Sequence, residues 1–245
     1  MDSSLSTIAM IMGTMLFAGI IQGSAGFGFG LVSVGLLGWM APDVKTATIL
    51  PLLANIALTG TMLAKLRSHV RLDRIGVPVI GSLIAVPLGA YFLASAQTWM
   101  IRIGLGLLLL FSAGYALHPS LGKKRWHKVY AGFPLGVFSG LLGGAFNTGG
   151  PPAIAYLTTQ RLPHVEYVAS LQLLFCLAGI VRLISLSSLG MITGDIALMS
   201  TTGIVAAVVG CLVGMFILHR MPEKWMRRGV IAMQAMLGIS YLVSV

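Results

Sequence analysis

Apolar residues along this chain fill whole runs of membrane-crossing length, separated by short stretches in which most of the basic residues collect. A helix needs about 20 apolar residues to cross the hydrocarbon core. Segments 46–65, 75–95, 100–117, 165–186, 195–218 and 226–245 meet or approach that length, and each predicts a single crossing. Two runs, 5–40 and 129–160, are too long for one crossing. Both are cut by residues that interrupt a helix: GSAGFGFG at 23–30 and GGAFNTGGPP at 143–152. Each cut leaves a longer first piece and a short second piece, which predicts a broken helical hairpin. Unwound backbone is tolerated at membrane depth only where protein or a water-lined cavity covers it.

Composition removes the soluble alternatives. With 57% hydrophobic residues, 9% charged residues and a mean hydropathy of +0.94, the chain is expected to be an all-α polytopic membrane protein. The net charge of +10 does not point to nucleic acid, because the basic residues sit between apolar runs, where they orient membrane segments. Cys176 and Cys211 lie in apolar stretches without ligand partners at metal spacing, so they read as packing residues, and no metal or cofactor is expected.

Charge also decides how the long runs turn. If both make hairpins, Lys65, Arg67, Arg71 and Arg74, then Lys123, Lys124, Arg125 and Lys128, then Arg161, and finally Arg220, Lys224, Arg227 and Arg228 all fall on the cytoplasmic side. That is 13 of the 16 Lys and Arg residues. A single crossing of 129–160 would put Arg161 and the last cluster outside. The hairpin reading places the protein in the cytoplasmic (inner) membrane, multi-pass, with both termini outside. The first residues carry no Lys or Arg and no cleavage site, and are expected to be mature sequence.

The halves also match one another. At an offset of 121, Phe17, Gly19, Gly23, Gly28, Pro42, Val44 and Gly89 align with Phe138, Gly140, Gly144, Gly149, Pro163, Val165 and Gly210. Farther on, Trp99, Met100, Arg102 and Tyr115 correspond to Trp225, Met226, Arg228 and Tyr241. Glycine, proline and tryptophan fix local geometry, so their joint recurrence predicts two transmembrane repeats, 1–117 and 129–245, joined by a basic cytoplasmic linker, 118–128. Each repeat holds a hairpin and three crossings, an odd total, so the second should be inverted relative to the first. The basic loop 65–74 corresponds to the uncharged loop 187–194, and the nearly neutral 96–99 to the basic 220–224, as inversion requires.

The motifs GIIQGSAGFGFG at 19–30 and GLLGGAFNTGGPP at 140–152 resemble those of the sulfite exporter TauE/SafE family, and the resemblance spans nearly the whole chain. It implies transport of sulfite, organosulfonates or related sulfur-containing or small carboxylate anions, usually out of the cell.

Independently of that resemblance, paired broken segments in two halves point to a transporter's binding site. Where a hairpin unwinds, backbone N–H groups and the positive end of the next half-helix suit an oxyanion. Gly149 and Gly150 would let the ligand approach the backbone, Pro151 and Pro152 would start the next half-helix, and Asn147 and Thr148 would add donors. Ser24, Gly26 and Gly28, with Gln22, would complete the pocket from the other repeat. Asn55 and Gln172, polar within apolar helices, could line it. The bland alternative is that the glycines only allow close helix packing. Arg182, toward the outer end of its helix, either attracts anions or snorkels to the interface. Asp43, Lys45, Glu166 and Asp195 sit at helix starts and read as structural.

These features predict a secondary transporter of small anions working by alternating access. An aquaporin-like channel is the closest rival, but the paired Asn-Pro-Ala motifs are missing. An intramembrane protease built on Ser139 would need a base, and the histidines fall in or beside loops. No enzyme activity is expected. The partners are a small anion and the lipid bilayer, and small residues on several helices would permit a homodimer.

Overall fold

The computed structural model describes residues 5–40, 43–117, 129–217 and 223–243. The linker 118–128 and Arg220, on which part of the charge argument rests, lie outside the described residues. The described chain is helical, with no strand: α1 (Leu5–Ala25), α2 (Phe29–Met40), α3 (Val44–Ile49), α4 (Pro51–Leu66), α5 (Leu72–Ser95), α6 (Thr98–Leu117), α7 (Val129–Phe146), α8 (Gly150–Thr159), α9 (His164–Ser188), α10 (Gly194–Ile217) and α11 (Glu223–Val243). Among the described residues, five continuous helical stretches are long and apolar enough to cross a membrane: Leu5–Ala25, Val44–His69, Leu72–Ser95, His164–Ser188 and Gly194–Phe216. This is a multi-pass membrane protein. Both long apolar runs break where the glycines predict, into arms of 21 and 12 residues and of 18 and 10 residues.

The helices gather into two compact units that cut across the sequence halves. One contains α1, α2, α3, α6, α10 and α11; the other contains α5, α7, α8 and α9. The first half of the sequence therefore lends α5 to the second unit, and the second half lends α10 and α11 to the first.

Lipid is as apolar as leucine, so burial alone does not hold such helices together; close packing and hydrogen bonds do. In the first unit, α1 lies on α10 through small residues. A side chain at Gly19 would strike the backbone of Ala207, and one at Gly23 the backbone of Cys211. In the second unit, α7 lies on α5 in the same way, with Gly136, Gly140 and Gly144 against the backbone of Pro78, Ser82 and Val86. Elsewhere in the first unit, the buried Tyr241 of α11 donates its hydroxyl to the carbonyl of Gly35 on α2 at 3.0 Å. In the second, Ile75, Val79, Ala153, Tyr156, Leu157, Leu171 and Leu174 form a core that fixes the short α8 against α5 and α9.

Two of the charged residues at helix starts, Asp43 and Glu166, make structural contacts. Asp43 caps α3, accepting from the backbone N–H groups of Lys45 and Thr46. Arg71 joins the starts of α5 and α9: its guanidinium meets Asp73 at 3.0 Å and Glu166 at 3.1 Å, and its backbone N–H donates to Ser170 Oγ. The Asp73 carboxylate, reinforced by Glu166, holds the Arg71 guanidinium above its ordinary range.

Candidate functional site

The two bends share a backbone device and differ in everything built on it. In the second unit α7 ends at Phe146, which packs edge-on against Phe92 of α5. Asn147 then turns left-handed at φ 59°, the conformation that commonly ends a helix. Asn147 N–H donates to Gly143 O at 3.0 Å, and Thr148 N–H reaches back to Leu142 O at 3.4 Å. Ser139, one face of α7, donates its hydroxyl to the Gly149 carbonyl at 2.6 Å and so pins the bend to the helix it leaves. The serine weighed above as a nucleophile is thus a structural strut.

Beyond the bend, α8 begins after Gly149, which makes no side-chain cap. A helix start leaves four N–H groups without intrahelical partners, here those of residues 149–152. Prolines at 151 and 152 remove two of them, which leaves the donors of Gly149 and Gly150. Beside them, Thr148 is 3% exposed, and its hydroxyl has no hydrogen-bond partner among the described residues. Buried polar groups are nearly always satisfied, so an exception calls for an explanation. The positive end of α8, two backbone donors and a buried hydroxyl are therefore neighbours along the chain, and these are groups that suit a small oxyanion.

The first bend closes on itself. Gly26, at φ 78°, holds the left-handed position 121 residues before Asn147. Gln22 is 2% exposed, and its side chain spans the gap: Oε1 accepts from Phe29 N–H at the start of α2 at 3.0 Å, while Nε2 donates to Gly26 O at 3.5 Å. Ser24 donates its hydroxyl back to its own helix, at Ile20 and Ile21. Gly28, at φ 108°, allows the turn into α2.

The same offset of 121 carries Gln22 onto Gly143 and Phe29 onto Gly150. At the first bend a glutamine oxygen occupies the N–H at the helix start. At the second, the residue that would supply that oxygen is a glycine.

Two candidates remain, on other helices. Asn55 is half-buried on α4 in the first unit. Gln172 is fully buried on α9, ten residues before Arg182 and so roughly 15 Å away along the helix. Arg182 is the residue the sequence underrates. It does not snorkel: it is 1% exposed, and its Nε donates to the carbonyl of Gly144 in the last turn of α7 at 2.8 Å. An arginine six residues from a helix end carries no mark of such burial in sequence; only the packing of α9 on α7 reveals it.

No solved structure matches the chain. The "Probable sulfite/organosulfonate exporter TauE" of Cupriavidus necator is 26% identical over 200 residues, covering 79% of this chain and 77% of that protein. The family described as Sulfite exporter TauE/SafE matches residues 11–241, nearly the whole length. The chain belongs to this family, whose members are transporters and not enzymes.

Proposed function

We propose that the protein exports small sulfur-containing anions, sulfite or organosulfonates, across the cytoplasmic membrane, and that the bend at Asn147, Thr148, Gly149, Gly150 and Pro151 holds the anion. The single observation that carries the site is the buried Thr148 hydroxyl, unpartnered among the described residues, beside a helix start that only Gly149 and Gly150 supply with donors. An oxyanion with several acceptor oxygens suits all three groups at once. Gln22, Ser24, Gly26 and Gly28 are assigned to shaping the first bend, since the donors of Gln22 and Ser24 are engaged there.

Transport proceeds by alternating access in an inverted repeat. Two features support the repeat. Gly26 and Asn147 share the left-handed conformation, and Gly23 and Gly144 share a close backbone approach to a helix drawn from the opposite half of the sequence. Export of an anion from a negative interior is favoured by about 2.3 kcal/mol per charge for each 100 mV, so no coupling ion is required in that direction.

The test is sulfite and organosulfonate flux in proteoliposomes with and without an imposed potential. The expected result is saturable flux that accelerates when the anion-loaded side is made negative. Thr148→Val, which keeps the shape and removes the hydroxyl, should slow it by roughly tenfold, the worth of a hydrogen bond to a charged group. Unsaturable flux would favour the channel reading, and no flux of either anion would overturn the proposal.

A further inference from the structure

We propose that Ser139 is a positioning residue of the anion site: by holding the Gly149 carbonyl it aims the Gly150 N–H, the donor the anion uses, to the side opposite itself. The inference rests on the anion-carrier reading above and deepens it by naming what fixes that donor.

A peptide group is planar, and in the trans form its C=O and N–H point in opposite directions. No cis peptide occurs among the described residues, so the Gly149 carbonyl and the Gly150 N–H are two ends of one rigid unit. Ser139 is 1% exposed and donates its hydroxyl to that carbonyl at 2.6 Å. As the residue capping α8, Gly149 also gives its oxygen to the first bond of that helix. Ser139 is thus a second donor on the same oxygen, and it comes from another helix. It ties the start of a 10-residue helix, a length that is marginal alone, to α7. The approach is close enough to require glycine: a side chain on Gly149 would meet the Ser139 carbonyl oxygen at 2.5 Å and its hydroxyl oxygen at 3.0 Å. A donor on the carbonyl also polarises the peptide, which strengthens its N–H toward an anion.

The first bend holds the corresponding peptide by its other end. The offset of 121 carries Gly28 onto Gly149 and Phe29 onto Gly150, and there Gln22 Oε1 accepts from the Phe29 N–H at 3.0 Å. Ser139 itself falls on Ala18, which has no hydroxyl, and Gln22 falls on Gly143, which has no side chain. One bend therefore grips this peptide by its N–H and the other by its C=O. A bend that only had to be closed would be served by either grip. The grip from Ser139 leaves the N–H for a ligand, two residues after Thr148, whose buried hydroxyl has no partner among the described residues.

The experiment titrates sulfite and methanesulfonate into purified full-length protein, wild type beside Ser139→Ala and Ser139→Thr, with melting temperatures measured on the same samples. Ser139→Ala should lose sulfite affinity by roughly two- to tenfold, the worth of an ordinary hydrogen bond, and Ser139→Thr, which keeps the hydroxyl, should recover most of it. Ser139→Ala is also made in a Gly143→Gln protein, where an amide oxygen can take the Gly150 N–H as Gln22 takes that of Phe29. There it should cost little further affinity, because the donor it aims is already occupied. Should Ser139→Ala fail to fold, Ser139→Cys, of similar size but with only a weak donor, takes its place. An equal loss in both backgrounds overturns the proposal, since it would mark a general loosening of the bend. Wild type that binds neither anion overturns the anion-carrier reading and this inference with it. Wild type that binds while folded Ser139→Ala binds as tightly overturns only the role of Ser139.

Discussion

The bend at Gly26 and the bend at Asn147 use one backbone solution for opposite ends. Both follow a long helix whose last turns press glycines onto a neighbouring backbone, and both turn through a left-handed residue. At the first, Gln22 donates and accepts across the gap, so the break in the helix is closed by the protein itself. At the second, Gly143 stands where that glutamine would, and a buried hydroxyl and a buried guanidinium gather instead. Broken helices are not binding sites by default: what distinguishes one is whether its freed donors already have an acceptor.

The shared scaffold gives the largest expected effect. Gly23→Val and Gly144→Val each drive a branched side chain into backbone, that of Cys211 in one case and of Val86 in the other. Backbone cannot move aside as a flexible side chain can, so both variants should fail to yield folded protein, judged by monodispersity after extraction. Survival of either would mean that the two seams are not equivalent.

A smaller effect separates the bends. Gln22→Leu leaves the Phe29 N–H without its acceptor and should destabilise the protein by about 1–3 kcal/mol in thermal or denaturant unfolding. Anion flux per folded molecule should change little. Smallest of all, Ser24→Ala removes a hydroxyl that bonds back to its own helix at Ile20 and Ile21, and should leave stability and flux near wild type. Loss of flux in either variant, with the fold intact, would place the first bend in the binding machinery.

Much of this was legible in sequence, for identifiable reasons. Glycine and proline declare where a helix must break, so the positions of both bends and the lengths of their arms follow from residues 23–30 and 143–152. The offset of 121 pairs Gly26 with Asn147, two of the residue types that tolerate positive φ, and both adopt it. Packing partners were not legible. That α5 joins α7 while α10 joins α1 depends on which small-residue faces meet, and many helices here carry such faces. Ser139 and Gln22 read as a weak nucleophile and a weak ligand because sequence does not show a side chain reaching across a turn. Arg182 was ambiguous for the same reason. Asn147 also carries a warning for mutagenesis: an alanine there would be strained at φ 59°, so lost function would mix strain with the lost side chain.

The central claim is that the second bend is open because position 143 lacks an acceptor, and Gly143→Gln tests it most directly. A side chain leaving Gly143 would meet Gly149 Cα and N at an ordinary 3.7 Å, so the glutamine should be accommodated and can reach Gly150 N–H as Gln22 reaches Phe29. The measurement is sulfite affinity of the purified variant, with its melting temperature as the control for folding. The account predicts an unchanged or higher melting temperature and affinity reduced by roughly tenfold or more, since the amide oxygen then competes for the donor the anion uses. A folded Gly143→Gln protein that binds sulfite as wild type does would contradict it.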